Sequence, residues 1–208
     1  MINSPFAPFL EPQADRLPPA LRQHFLPVRE MQRFRGLMKH VWRRKDWLGS
    51  ASIPVLWIGT FAGLLFPEIG DDISFELENQ IYQKPDGQVV MTWSRRFHFP
   101  KCVREFYAVM HFDQGRNAIV DFLGKGEQLE VELHPCIEDG GITITSGKQW
   151  LRLGILRIPL PSWIAGQAKI HESLNDKGQF AIRVTIHNPI LQDFFGYEGT
   201  FESVSEPV

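Results

Sequence analysis

Cysteine is scarce in this chain: Cys102 and Cys136 are the only two among 208 residues. Their separation fits neither a zinc-ligand spacing nor the dense framework of a disulfide-stapled domain, so both read as buried thiols in a reducing cytosol. A dominant charge is also missing. Lysine and arginine number 22 against 24 acids, a net charge of −2, which supplies no general attraction to nucleic acid or membrane. Long apolar runs are nearly absent. The longest uncharged stretch, Leu48–Pro67, is broken by Pro54 and by Gly49, Gly59 and Gly63. A membrane span needs about 20 predominantly apolar residues. A buried helix from about Ser52 to Phe66, ended by Pro67, is therefore the expectation, with an interfacial helix as the alternative. The start, Met1-Ile2-Asn3-Ser4-Pro5-Phe6, has no charged head before an apolar run, which points to a cytoplasmic protein.

Catalytic signatures are missing as well. No Gly-x-Ser-x-Gly elbow and no His-Glu-x-x-His spacing occurs. His98, His111 and His134 sit on different strands or strand ends and carry no metal spacing. His171 and Glu172 are neighbours, so in a strand they face opposite ways. Gly124-Lys125-Gly126 has no helix after it to receive a phosphate and reads as a turn. No cofactor is implied, and no repeat of 20–50 residues marks a solenoid or propeller.

Aromatic residues are plentiful by contrast, with 16 Phe and six Trp. Such rings supply large buried areas or line apolar pockets. Length suits one domain over residues 17–208, preceded by a Pro-rich N-terminal arm over residues 1–16 lying on the surface. Leu17, Leu21 and Phe25 recur at helical spacing and predict a short helix with one buried face. Arg33 to Arg43 alternates: Phe34, Gly36, Met38, His40 and Trp42 share one parity, and Arg33, Arg35, Lys39 and Arg43 the other. Period two predicts a strand with its charges in water. From Ile73 onward the chain is strand and turn. Ile73–Gln83, Gln88–Phe97, Arg104–Phe112, Asn117–Leu123, Glu127–Cys136, Gly141–Leu153, Gly166–Leu174, Gln179–His187 and Phe194–Val204 are separated by turn signals such as Lys84-Pro85-Asp86-Gly87 and Asn175-Asp176-Lys177-Gly178. The fold class is α+β and mainly antiparallel β: a strongly curved sheet or barrel of about 8–10 strands, with one or two N-terminal helices packed on or in it.

The ordered wording of these segments resembles a bacterial family, domain of unknown function 4166. Leu17-Pro18-Pro19-Ala20-Leu21 comes first, then Arg35-Gly36-Leu37-Met38. Trp93-Ser94-Arg95-Arg96-Phe97 is similar to the family's Trp-x-Arg-x-Phe. Ile158-Pro159-Leu160-Pro161, Gly178-Gln179-Phe180, Pro189-Ile190-Leu191 and Tyr197-Glu198-Gly199 close the series, which spans roughly residues 17 to 203. Gln192-Asp193-Phe194-Phe195 departs from the glycine-rich step expected there. The resemblance implies an accessory domain, fused to or associated with a dehydrogenase-like protein in some members, and it brings no agreed active site.

Trp93, Arg95 and Phe97 share one strand face. A guanidinium between rings stacks on them and still offers a planar fork to a carboxylate or phosphate. The alternative is an internal salt bridge to a carboxylate such as Glu105. The expected ligand-binding set is Trp93, Arg95, Phe97, Glu105, His111 and Tyr197. Three functions stay open: a module holding an apolar or amphipathic, lipid-like small molecule in a β-lined cavity; an enzyme in the same cavity, with Arg95 binding an anionic group while His111 or Glu105 moves a proton; and a membrane-surface domain using the basic set Arg29, Arg33, Arg35, Lys39, Arg43, Arg44 and Lys45 beside the apolar helix. Nucleic acid is not an expected partner, because the aromatics follow the buried parity.

Overall fold

Period-two alternation becomes eleven strands in the structure, a computed structural model that describes residues 3–62, 65–124 and 126–204. They are β1 (Met31–Arg43), β2 (Gly70–Gln83), β3 (Val89–Phe99), β4 (Cys102–Asp113), β5 (Ala118–Leu123), β6 (Leu129–Glu138), β7 (Gly141–Leu153), β8 (Leu156–Pro159), β9 (Gln167–Leu174), β10 (Phe180–Asn188) and β11 (Gln192–Ser203). Neighbours run β6-β5-β4-β3-β2-β1-β11-β10-β9-β7, and a β6–β7 pairing closes a ten-stranded antiparallel barrel. Closure removes the unpaired edges that an open sheet would expose. β7 divides its second edge: Ile142–Thr145 pair with β9, and Trp150–Leu153 pair with β8. Ile158 and Pro159 of the Ile158-Pro159-Leu160-Pro161 stretch thus belong to this short extra strand.

One end of the barrel is filled by α1 (Ala7–Leu10), a 3-10 stretch (Glu11–Arg16) and α2 (Pro19–Phe25). Phe6, Leu10, Leu21 and Phe25 are fully buried, and Phe6 stacks on Trp93 with ring centres 5.7 Å apart. Residues 4–10 are therefore not a surface arm, whereas Glu11–Arg16 has no buried residue and does lie on the surface. Phe6 and Leu10 join the barrel core, and burying such side chains contributes roughly 1.5–3 kcal/mol each. α3 (Trp47–Ala62) follows β1 and starts earlier than the expected Ser52; Gly63 and Leu64 lie outside the described residues. Among the described residues, no helix is long and apolar enough to cross a membrane. Cys102 and Cys136, expected to be buried, are instead partly exposed and exposed.

A register shift between Met38 and His40 alters the alternation of β1. The extra residue of this bulge flips the parity beyond it. Val41 turns inward and is buried, whereas His40, expected inside, faces water and meets Asp71 at 2.7 Å. The strand's arginines lie on its outer face opposite acids of β2, Arg33 with Glu78 at 3.1 Å and Arg35 with Glu76 at 3.6 Å. The basic set is accordingly a paired, solvated strand face over this stretch.

Gly36 sits where β1 crosses β11. A Cβ there would lie 2.1 Å from the Thr200 carbonyl oxygen and 2.5 Å from Phe201 Cα, both backbone atoms. Gly36→Ala is therefore expected to cost about 3 kcal/mol through overpacking. Urea denaturation checks it, and a loss under about 1 kcal/mol, the ordinary cost of a surface change, would remove this constraint.

Candidate functional site

β3 points Trp93, Arg95 and Phe97 into the barrel, as its alternation predicts. The Arg95 guanidinium lies 4.8 Å from the Trp93 ring centre and 5.2 Å from that of Phe106 on β4, and the residue is only 6 % exposed. Among the described residues, no carboxylate comes within 4.0 Å of it and no hydrogen bond reaches it. An ion with its water removed and no partner is costly unless another charge joins it.

Four further polar side chains are buried in the interior. His24 comes from α2, Asn79 from β2, Asp121 from β5 and Glu172 from β9. His24 Nε2 stands 3.3 Å from Glu172 Oε1, and its Nδ1 stands 3.4 Å from Asn79 Nδ2. With the Asn79 amide donating to Nδ1, the imidazole proton sits on Nε2, facing Glu172. The His24–Glu172 spacing suits an ion pair, yet it is not aligned as a hydrogen bond. Burial moreover drives both partners toward neutral forms. It holds His24 down at about 3, with the Arg95 charge adding to the effect. It lifts Glu172 to about 8 and Asp121 to about 7, against the opposing pull of Arg95. Tyr197 on β11 is raised by burial, partly offset by Arg95. Arg95 is the charge that all four of these groups sense. With both acids protonated and His24 neutral, Arg95 leaves the interior with one positive charge.

Of the six residues expected to bind ligand, Trp93, Arg95, Phe97 and Tyr197 meet inside. Glu105 and His111 do not join them. Both fall on the outward parity of β4, where Glu105 pairs with Arg96 at 3.4 Å and His111 stacks on Phe122. The internal salt bridge between Arg95 and Glu105 is thus absent, because adjacent residues of a strand face opposite sides and Arg96 takes that partner. His24, Asn79, Asp121 and Glu172 were missed. Parity marks three of them: Asn79 follows Phe75 and Leu77, Asp121 lies between Ile119 and Leu123, and Glu172 between Ile170 and Leu174. A polar side chain breaking an apolar face was the available signal. His24 precedes Phe25 and lies one helical turn from Leu21, which is a weaker mark.

Five buried polar atoms in this interior, His24 Nε2, Asn79 Oδ1, Trp93 Nε1, Asp121 Oδ1 and Glu172 Oε1, have no hydrogen-bond partner among the described residues. Each such atom costs about 1–3 kcal/mol. Trp93 Nε1 supplies a donor and Asn79 Oδ1 an acceptor to a polar guest. Among the described residues, no set of three His, Cys, Asp or Glu gathers as a metal cage. At the Gly124 turn Lys125 lies outside the described residues, and a strand follows, not a helix. On the outside, an open groove of about 720 Å³ crosses β1, β11, β10, β9 and β7. Two of its polar pairs close on themselves, Arg183 with Glu198 at 2.9 Å and His171 with Thr143 at 2.9 Å, whereas Lys39, Asp72, Asp139 and Lys169 along it form no ion pair among the described residues.

Fold and interior together define a closed antiparallel β-barrel with a charged, titratable core. Residues 17–201 match the family described as Domain of unknown function (DUF4166), and the chain belongs to that family. It is 39% identical over 150 residues to the "Uncharacterized protein YndH" of Bacillus subtilis (strain 168), covering 71% of this chain and 73% of that one. A solved structure titled for dehydratase substrate selection in the borrelidin and fluvirucin polyketide synthases aligns over 83% of this chain and 84% of its own, at 10% identity and a TM-score of 0.20, which is too low to carry an argument.

Proposed function

We propose that the barrel binds an apolar or amphipathic small molecule bearing a carboxylate or similar monoanionic head, and that Arg95 anchors the head. The observation that carries this reading is the Arg95 guanidinium, held between Trp93 and Phe106 inside the barrel with no carboxylate partner among the described residues. Phe97, Met91 and Met110 supply apolar surface beside it. A ten-stranded barrel is wider than the eight-stranded kind whose interior side chains just fill, or which holds one small ligand. The positive charge left by protonated Asp121 and Glu172 complements a single anion.

Calorimetric titration of dodecanoate against dodecanol tests the reading, alongside native mass spectrometry of protein purified without detergent. Dodecanoate should bind at least about tenfold more tightly, since hydrogen bonds to a charged group contribute roughly 1.5–3 kcal/mol. Equal affinities, or no binding of either, would sink it. Binding should also weaken from about pH 6 to about pH 9, because ionising Asp121 and Glu172 places negative charge near the bound anion.

A second reading, an acid–base catalyst acting on the same bound molecule, draws on Asp121 and Glu172, whose raised values suit proton transfer near neutrality. It ranks second because His24, the interior histidine, is enclosed by Phe25, Phe34, Trp93, Phe180 and Phe201.

A further inference from the structure

β2 and β3 run side by side, and their register sets Asn79 directly opposite Trp93. Both residues are buried, Asn79 at 2 % and Trp93 at 4 % exposure. Side chains opposite one another in an antiparallel pair leave the sheet about 4.5–5.5 Å apart. Each of these two ends in a polar atom with no hydrogen-bond partner among the described residues, an acceptor on Asn79 Oδ1 and a donor on Trp93 Nε1. Buried polar groups are ordinarily hydrogen-bonded, so two neighbouring ones without partners point to a group supplied from outside the chain.

Both atoms stand on fixed supports. The Asn79 amide donates to His24 Nδ1 at 3.4 Å, which commits its nitrogen and leaves its oxygen free. The Trp93 indole stacks on Phe6, with ring centres 5.7 Å apart and planes 12° from parallel, and on His24, at 5.8 Å and 23°. Phe25 packs against the same indole at 5.7 Å. Neither side chain can turn away without breaking these contacts, and both have the His24 imidazole as a neighbour.

A donor beside an acceptor selects among polar groups. A carbonyl or ether oxygen accepts from Trp93 Nε1 and offers nothing to Asn79 Oδ1. An ammonium donates to Asn79 Oδ1 and offers nothing to the indole. A hydroxyl serves both. The other unpartnered atoms of the interior are placed differently: His24 Nε2 and Glu172 Oε1 face each other at 3.3 Å, and Asp121 comes from β5, beyond β3 and β4 from Asn79. The Arg95 guanidinium lies 4.8 Å from the Trp93 ring centre. A carboxylate at Arg95 and a hydroxyl at Trp93 Nε1 are therefore a few bonds apart, not the length of an alkyl chain.

We propose that the guest is a hydroxylated amphipathic acid. Its hydroxyl, on the second or third carbon, donates to Asn79 Oδ1 and accepts from Trp93 Nε1 while its carboxylate meets Arg95. This rests on the Arg95 anchor of the proposed function and names the ligand class that the anchor alone leaves open.

Calorimetric titration of the full chain tests it, with dodecanoates hydroxylated at the second, the third or the terminal carbon set beside plain dodecanoate and dodecanol. The better of the two acids hydroxylated near the head should bind at least about tenfold more tightly than dodecanoate, because a site built to hydrogen-bond a hydroxyl rejects the analogue lacking one. The acid hydroxylated at its terminal carbon should gain nothing. Trp93→Phe removes the donor and keeps a ring, and Asn79→Leu removes the acceptor and keeps the size. Each should abolish the preference for the hydroxy acid. That preference is a ratio read within one variant, so a general loss of affinity does not imitate the result. Circular dichroism verifies the fold, and the parent series needs no variant. Dodecanoate preferred over dodecanol, with no gain from either near-head hydroxyl, would overturn this inference and leave the Arg95 anchor standing; a water bridging the pair would give that result. Equal affinities for dodecanoate and dodecanol would remove the anchor and this inference with it. A terminal hydroxyl that gains as much as a near-head one, or a preference that survives both substitutions, would also overturn it.

Discussion

Arg95→Met should raise the thermal midpoint of the protein while removing its preference for dodecanoate over dodecanol. The two effects share one cause. The guanidinium is buried on ring faces without a carboxylate partner among the described residues, so the folded state bears its desolvation. Methionine keeps much of the volume and returns no charge. Replacing buried ionic groups by apolar ones of similar size has stabilised other proteins by about 1–4 kcal/mol. For a chain of this length that is a rise of roughly 3–12 °C. Affinity for dodecanoate should fall to that for dodecanol. A Tm that drops as far as for a truncated core phenylalanine would mean that Arg95 is paired in solution with Asp121 or Glu172. The case for a free anion anchor would then be gone.

Stability should fall as pH rises from about 6.5 to about 9, against the common pattern for carboxylates. Asp121 and Glu172 have folded values of about 7 and about 8, above their ordinary 3.8 and 4.5, because burial penalises the ionised forms. The folded state therefore holds protons that the unfolded chain has already released. Their contribution is fully present below the unfolded values and is lost as pH climbs through the folded ones. His24 acts in the opposite sense: held down at about 3 from 6.5, it lowers stability as pH falls below 6.5. Above that point the acids act without it. The combined loss should be of order 3 kcal/mol, about 10 °C in Tm. Glu172→Gln should flatten most of the slope, since glutamine fills the same volume and does not titrate. A Tm that is constant or rising between about pH 6.5 and about pH 9 would show that both acids are already ionised in the folded state.

Much of the barrel was legible because a two-residue period survives any tertiary context. Gly141–Leu153 was read to its observed ends, and Ile73–Gln83 was missed only at its first turn. Three elements were harder. The bulge in β1 adds one residue that leaves no mark in composition, so His40 and Val41 exchanged sides. α1 lies in a segment whose prolines and polar residues resemble a surface arm, and Phe6 is buried only because the barrel end is open to receive it. β8 ends on Pro159 and has no extended alternating run to mark it; it forms because the upper half of β7 needs a partner where β9 leaves it.

The candidate site divides along the same line. The inward turn of Trp93, Arg95 and Phe97 follows from parity within one strand, a local property. Whether Arg95 meets a carboxylate is not local. Phe106 stands opposite Arg95 and Glu105 opposite Arg96, so Arg95 and Glu105 emerge on opposite faces, and the groups that do sense the Arg95 charge come from α2, β5, β9 and β11.

The sequence alone determined the strands, the face each presents and the oily inner surface, because these depend on residues two apart along one segment. Closure of the barrel, the seating of His24 beside Glu172 and the isolation of Arg95 were decided only in three dimensions. They depend on which strands stand opposite one another across the closed interior, and no local pattern encodes that distance.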